Sequence, residues 1–169
     1  MRFALCLAAF GACSLFGFIL GGGLDKRCRA LSGLIMALDA LHGALRYLAE
    51  PVGHALGQTG QRLRGEAGSL FLAMAKGMEQ GLDCPGAFSQ ALIWAKGDMA
   101  ALIEADRDIL LDLSAGLGLD KARQADAFAL CLERLNRQKA RAEDDRKGRG
   151  RLMRVSGSFL GALIFILFI

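Results

Sequence analysis

The chain contains very little proline, histidine and tryptophan. Its 169 residues include two prolines, two histidines and one tryptophan. Few residues are β-branched, and no stretch sustains a two-residue alternation, which argues against a sheet-based fold. The five cysteines are odd in number and show no Cys-x-x-Cys spacing, so they predict neither a zinc site nor a disulfide framework. This pattern is typical of a reducing cytosol.

Residue patterns that perform catalysis are equally scarce. His42 and His54 have no third ligand at a metal-binding spacing, although Asp39 shares a helix face with His42. The acidic stretch from Glu104 to Asp112 is interrupted by a basic residue and is predicted to be a solvated helix face. The glycines before Leu24 lack the Lys and Ser/Thr of a phosphate loop. The sequence therefore predicts no catalytic, metal-binding or cofactor-binding residue and no enzyme.

Long apolar segments are present near both ends of the sequence. Phe3 to Leu24 has no charged residue and is long enough to cross about 30 Å of hydrocarbon as a helix. Val155 to Ile169 is shorter, and it extends by two apolar residues if Arg154 snorkels to the interface. The predicted organisation is a transmembrane helix, a cytoplasmic body and a second transmembrane helix: residues 1–24, 25–151 and 152–169.

Other interpretations of these segments are weaker. A cleaved signal peptide would have only Arg2 as its charged region and no clear small-x-small cleavage site. A lipid anchor at Cys13 would be followed by further apolar residues, where a lipoprotein becomes polar. The second segment could be a core helix, but it has no polar face to turn toward water. Uncleaved membrane anchors at both ends are therefore predicted.

Basic residues flank both apolar segments on the side that faces the body. Because lysine and arginine near membrane spans mark the cytoplasmic side, we predict a cytosolic body with both termini extracytoplasmic. The net charge of +4 comes largely from these clusters and indicates lipid headgroups rather than nucleic acid, since no aromatic residue is interleaved. The membrane-flanking basic residues are Lys26, Arg27, Arg29, Arg146, Lys147, Arg149, Arg151 and Arg154.

Small residues recur every four positions in both apolar segments. This spacing lets helix backbones approach closely in lipid, although glycine is also common in membrane helices without such a role. The residues predicted to pack membrane helices are Cys13, Gly17, Gly21, Gly157 and Gly161.

The body has helical periodicity throughout. Leucines recur at three- and four-residue spacing from Leu31 to Leu48, and Pro51 ends this first helix. The later helices are predicted over residues 52–64 and 66–80, after the N-cap Asp83, from Gly97 to Leu113, and from the N-cap Asp120 toward the second span. About six helices with short connections predict an all-α fold, a compact antiparallel bundle in one domain.

The chain resembles the stage III sporulation protein AB family of endospore-forming bacteria over essentially its full length. The resemblance rests on the N-terminal span, the leucine-rich helix that ends near Tyr47 and Pro51, and the long charged helix before a glycine-containing terminal span. Its most specific element is a Leu-Gly-x-Asp-x-x-x-Gln motif, a helix stop followed at once by a new N-cap. The motif residues are Leu117, Gly118, Asp120 and Gln124.

This resemblance implies a component of the channel-like complex that joins mother cell and forespore. It implies a place in the cytoplasmic membrane on the mother-cell side. The implied partners are other stage III sporulation channel proteins, including a cytosolic ATPase, and membrane lipid; a homo-oligomer stays open. The body is expected to be similar to the platform domains of type II secretion and type IV pilus systems. A non-enzymatic scaffold is therefore expected, with a lipid-headgroup enzyme and a membrane signal transducer as alternatives.

Overall fold

The structure, a computed structural model, describes the backbone of residues 2–48, 50–63, 65–118 and 120–168, and the side chains of residues 23–47, 50–63, 65–118 and 120–148. Every regular element in these ranges is a helix. In chain order they are α1 (Arg2–Leu48), α2 (Val52–Arg62), α3 (Glu66–Glu79), α4 (Cys84–Ile93), a 3-10 helix (Gly97–Ala101), α5 (Glu104–Gly116) and α6 (Lys121–Phe168). The predicted all-α class is confirmed.

The chain divides into two compact units. The bundle unit is residues 26–140, and the terminal unit comprises residues 1–25 and 141–169. In the terminal unit, Nη1 of Arg146 lies 3.6 Å from Oδ1 of Asp25. Several predicted site residues of the terminal unit have side chains outside the described residues: Cys13, Gly17, Gly21, Arg149, Arg151, Arg154, Gly157 and Gly161.

A leucine stripe on α1 forms one wall of the bundle core. Leu31, Leu34, Leu38 and Leu41 are fully buried, and Leu45 is nearly so, which confirms the predicted stripe. By length and composition, the α1 segment Gly23–Tyr47 could also cross a membrane, the one such segment among the described residues. That property suggests membrane association. However, 44% of the most apolar 18-residue stretch of this segment is buried, and its leucines pack in the core.

Helices α2 and α3 form an antiparallel hairpin with close backbone contact. Gly53 faces Met78, whereas Gly60 faces Leu72, so the register runs backward along α3. A Cβ atom on Gly60 would lie 2.8 Å from Cγ of Leu72 and 2.9 Å from the carbonyl oxygen of Gly68. Glycine is thus required there by the close approach of the two helices.

Helix α6 returns antiparallel to α1 within the bundle unit. Where α1 enters the bundle unit, Arg27 donates a hydrogen bond to Gln138, and near the end of α1 the ring of His42 stacks on Phe128. The two ring centroids are 4.7 Å apart and the planes differ by 11°. From the first contact to the second, the residue number rises along α1 and falls along α6. The two helices are therefore antiparallel, as are α2 and α3 and as predicted for the bundle.

The segment before α5 differs from the prediction. A single helix from Gly97 to Leu113 is wrong, because the 3-10 helix ends at Ala101 and the backbone is extended at Leu102 and Ile103, with ψ of 127° and 167°. Helix α5 starts anew at Glu104. The cause is local capping: the Ile103 N–H donates to Oδ2 of Asp106 at 3.2 Å, which favours a helix start at this point.

Candidate docking surface

The Leu-Gly-x-Asp-x-x-x-Gln motif lies at the junction of α5 and α6. Leu117 is buried and extended after the end of α5, and Gly118 has a φ of +86°, which only glycine adopts readily. Oδ1 of Asp120 accepts a hydrogen bond from the N–H of Arg123 at 2.8 Å, and its carbonyl accepts from the N–H of Gln124 at 3.0 Å. The motif therefore has the predicted physical content, a helix stop followed by an N-cap.

The predicted membrane-flanking basic residues occupy different environments. Lys26, Arg146 and Lys147 are exposed. Arg27 is only 9% exposed, and its guanidinium is engaged inside the bundle unit. Arg29 is exposed but bonded to the carboxylate of Asp98. Three of the five described members of the set thus make intramolecular ion pairs: Arg27 with Asp106, Arg29 with Asp98 and Arg146 with Asp25.

A buried ion pair joins α1, α5 and α6. Nε and Nη2 of Arg27 donate to Oδ2 and Oδ1 of Asp106 at 2.9 and 3.0 Å, and Nη2 also donates to Oε1 of Gln138 at 3.2 Å. Asp106 is 0% exposed, so its predicted place on a solvated helix face is wrong. Burial is possible because the carboxylate is satisfied by the bidentate guanidinium and by the Ile103 N–H.

A second charged network holds the 3-10 helix in place. Oε2 of Glu66, in the first turn of α3, accepts hydrogen bonds from the N–H groups of Asp98 and Met99, the latter at 3.3 Å. Gly97, immediately before them, has a φ of +63°, and the Glu66 carboxylate lies where a side chain would project. The Asp98 carboxylate in turn accepts from Nε and Nη2 of Arg29 at 2.6 and 3.0 Å.

This network lowers the pKa of the Asp98 carboxylate. The hydrogen bonds from Arg29 hold the pKa of Asp98 below its ordinary value, with the Coulombic attraction of Arg29 and Lys26 adding to the effect. The 3-10 helix is therefore tied to α3 by a backbone cap and to α1 by an ion pair. It forms a fixed edge for the surface next to it.

Two large apolar side chains project from the end of α4 beside that edge. Ile93 is 70% exposed and Trp94 is 73% exposed, although Phe88 and Leu92 of the same helix are buried. Trp94 borders a groove of about 300 Å³ between α3, the end of α4 and the 3-10 helix. The groove is lined by Glu66, Ser69, Leu70, Ala73, Ala91, Trp94, Ala95, Lys96, Gly97 and Met99. We call Ile93, Trp94 and this groove the Trp94 surface.

The described residues show little that could perform catalysis. No group of three or more His, Cys, Asp or Glu side chains within them could hold a metal ion. Burial raises the pKa of the Cys131 thiol to about 12, and burial and then Asp83 raise that of Cys84 to about 11, so neither is a ready nucleophile. His54 makes a surface contact with Glu50, its Nδ1 lying 3.1 Å from Oε2.

This fold and surface define an all-α protein in which helices pack through leucine stripes and one apolar corner faces outward. A family model described as "Stage III sporulation protein AB" matches residues 2–169, and the chain belongs to the stage III sporulation protein AB family. A solved structure of stage III sporulation protein AB (SpoIIIAB) is similar in fold, with a TM-score of 0.63 and 24% identity over 73% of this chain and 98% of that chain. A search of the curated proteins finds no match.

Family membership confirms the resemblance and restricts the function. Members of this family are structural proteins of sporulation, and the family is not a known enzyme family. Membership is consistent with a component of the sporulation channel, and it suggests a place in a multi-protein sporulation complex associated with the membrane.

Sequence reasoning identified the motif at the α5–α6 junction but not the Trp94 surface. A signal was present, since Phe88, Ala91 and Leu92 lie on the buried face of α4 and Ile93 and Trp94 follow where the helix ends. Two large apolar residues at a helix end, off its buried stripe, are candidates for exposure.

Proposed function

We propose that this protein is a non-enzymatic membrane platform subunit of the channel complex between mother cell and forespore. In this proposal the two terminal helices anchor it in the cytoplasmic membrane, and the bundle unit presents a docking surface to a cytosolic ATPase of the same complex. The single observation that supports it most is the Trp94 surface. Tryptophan is the residue most enriched among energetic centres of protein interfaces, and exposing it costs hydrophobic free energy unless a partner covers it.

The surroundings of Trp94 also support docking. The groove beside it provides an apolar recess, and Glu66, Asp98 and Arg29 hold its edge in one conformation. A surface that is ordered before binding loses less conformational entropy when a partner docks. Lys96 and Glu66 add charge of both signs at the rim, which favours a specific partner over unspecific adhesion.

The test measures binding of the detergent-solubilised full chain to the ATPase purified from the same complex. Trp94 is the only tryptophan of the sequence, so an ATPase variant without tryptophan makes the fluorescence of the mixture report on this surface alone. We expect a saturable change in emission, because docking removes the indole from water. Trp94→Ala, assayed by co-purification, should weaken binding about 30-fold or more, as loss of an interface centre typically does.

Tyr47→Ala is the matched control, because Tyr47 is an equally exposed aromatic residue, 78% exposed, at the end of α1. It should leave binding unchanged, and both variants should keep the wild-type melting temperature, since each side chain is mostly in water. Equal binding by Trp94→Ala and wild type would reject the Trp94 surface as the docking site. Failure of the wild type to associate with any sporulation-complex neighbour would reject the platform role itself.

The membrane arrangement belongs to the same proposal. Helices at 1–24 and 152–169 would span the membrane, packing through Cys13, Gly17, Gly21, Gly157 and Gly161, with the bundle in the cytosol. Lys26 and Lys147 are exposed and so remain available to anionic headgroups. A reporter active only outside the cytosol should be silent when fused at Gly60 and active when fused after residue 169. Activity at Gly60 would reverse the proposed orientation.

A further inference from the structure

A second cavity, of about 300 Å³, lies where α1 ends and α6 begins. It is separate from the Trp94 surface and lies within the bundle unit. Its lining combines two cationic side chains, an imidazole, an amide and a small apolar wall. The lining residues are His42, Leu45, Arg46, Lys121, Gln124 and Ala125.

Two of these lining residues have a buried nitrogen without a hydrogen-bond partner. Nε2 of His42 and Nε2 of Gln124 are both buried and have no hydrogen-bond partner within the protein. Native proteins satisfy nearly all such groups, so two unsatisfied nitrogens around one cavity indicate a missing partner. The His42 ring cannot turn freely to find another, because it is stacked on Phe128 with centroids 4.7 Å apart.

The chemistry of the lining specifies the partner. Arg46 and Lys121 can only donate hydrogen bonds, as can the Gln124 amide nitrogen, so the ligand must supply several acceptor oxygens. The two cationic side chains favour negative charge. A phosphate group meets this demand better than a carboxylate, since it has more acceptor oxygens and carries up to about two negative charges at neutral pH.

The neighbouring acidic groups do not occupy this role. Asp120 precedes Lys121 but already accepts from the N–H of Arg123 and lies 3.5 Å from its Nε. Asp39 lies one turn before His42 on α1 and is exposed, and it is not part of the cavity lining. Leu45 and Ala125 provide apolar contact for a carbon skeleton attached to the phosphate.

We propose that this cavity binds a phosphate group, either as the free anion or as a small phosphate monoester. Gln124 thereby acquires a role in ligand binding in addition to its place in the α5–α6 motif. The proposal is independent of the docking function, because it concerns other residues and another ligand.

The experiment uses the full chain in a neutral detergent with 13C-labelled histidine. The sequence has two histidines, so the imidazole NMR spectrum reports on the cavity through His42 and on an internal control through His54, which lies on the surface beside Glu50. Inorganic phosphate and glycerol 3-phosphate are titrated separately at constant ionic strength, with acetate as the carboxylate comparison. We expect a saturable shift of the His42 signals, no shift of His54, and weaker or no response to acetate.

The variants Arg46→Gln and Lys121→Gln should each weaken phosphate binding about tenfold or more, because each removes a charged donor. Lys76→Gln, which changes an exposed lysine on α3, should leave the affinity unchanged. Tighter binding of glycerol 3-phosphate would assign the site to a monoester, and equal or weaker binding to the free anion. An absent or non-saturable His42 shift, or equal affinity in the wild type and the two cavity variants, would overturn the proposal.

Discussion

Two arginine–aspartate pairs connect α1 to the rest of the bundle. They consist of the same residue types but differ in burial and in the helices that they join. Arg27 and Arg29 are two residues apart, and each makes a bidentate contact to one carboxylate, that of Asp106 or Asp98. The first pair is buried among α1, α5 and α6, whereas the second is open to water at the 3-10 helix. The same two residue types therefore provide a core contact in one place and a surface tether in the other.

The difference follows from helix geometry and dielectric. Two residues along α1 correspond to a rotation of about 200°, so Arg27 and Arg29 face nearly opposite directions. On the inner side, Arg27 needs a partner because an unpaired charge in a low-dielectric core is strongly destabilising. On the outer side, water screens Arg29 and Asp98, so their contact contributes little free energy. Position relative to the core, rather than residue type, sets the energetic value of the pair.

Among the variants that test this comparison, Asp106→Ala should cause the largest loss of unfolding free energy. Removing the carboxylate takes away the bidentate partner of the buried Arg27 guanidinium, and the unfolding free energy should fall by about 3–5 kcal/mol. The measurement is urea unfolding of the detergent-solubilised chain followed by far-UV circular dichroism. Replacing both residues, Arg27→Met with Asp106→Leu, should recover much of that loss because no charge remains buried. A double variant no more stable than Asp106→Ala would contradict the desolvation explanation.

The matched variants Arg27→Lys and Arg29→Lys should differ from each other in unfolding free energy, and the larger of the two losses should be smaller than that of Asp106→Ala. A lysine keeps the charge but cannot make the two parallel hydrogen bonds of a guanidinium. Arg27→Lys should cost about 1.5–3 kcal/mol, the range for hydrogen bonds to charged groups, whereas Arg29→Lys should stay within about 0.5 kcal/mol. Equal losses in the same unfolding assay would mean that burial does not separate the two pairs.

Asp98→Asn should have the smallest effect, about 0.2–1 kcal/mol at neutral pH, as for exposed ion pairs generally. The Arg29 hydrogen bonds lower the pKa of Asp98 in the folded state, so its stabilising contribution is complete above the ordinary carboxyl pKa of 3.8. That contribution is lost as the pH falls through the lowered folded-state pKa. The stability gap between wild type and Asp98→Asn should therefore close in acid, and also in about 1 M salt, where the Debye length is about 3 Å. A gap that is independent of both would rule out the ion pair as its source.

Much of the bundle could be predicted from local patterns. The α1 leucine stripe, the N-caps Asp83 and Asp120, and the helix stop at Leu117 each depend on residues within one or two turns of one another. Such signals are complete in the sequence because backbone capping and amphipathic spacing are local properties. The broken segment before α5 was missed, since its break depends on a Glu66 cap 32 residues away as well as on Asp106.

The candidate sites were harder to predict from the sequence, because they too depend on residues that are far apart in the chain. Asp106 stands in an acidic, mixed-charge stretch that has the composition of a solvated face, and its partner Arg27 is 79 residues distant. The cavity at His42 joins residues from the end of α1 and the start of α6. The exposure of Trp94 becomes clear only when the neighbouring helices show which face of α4 is covered.

The sequence by itself determined the all-α class, most of the helices and the N-caps Asp83 and Asp120, because these depend on short-range periodicity and local capping. The family was identified from the sequence by resemblance and confirmed by the family model. Only the tertiary structure decided which charges are buried. Arg27 and Arg29 look equivalent in a basic cluster, yet one completes a core contact and the other faces water. The physical reason is that burial is a property of the packed assembly: the free energy of a charge depends on the groups that exclude water from it, and those groups come from distant parts of the chain.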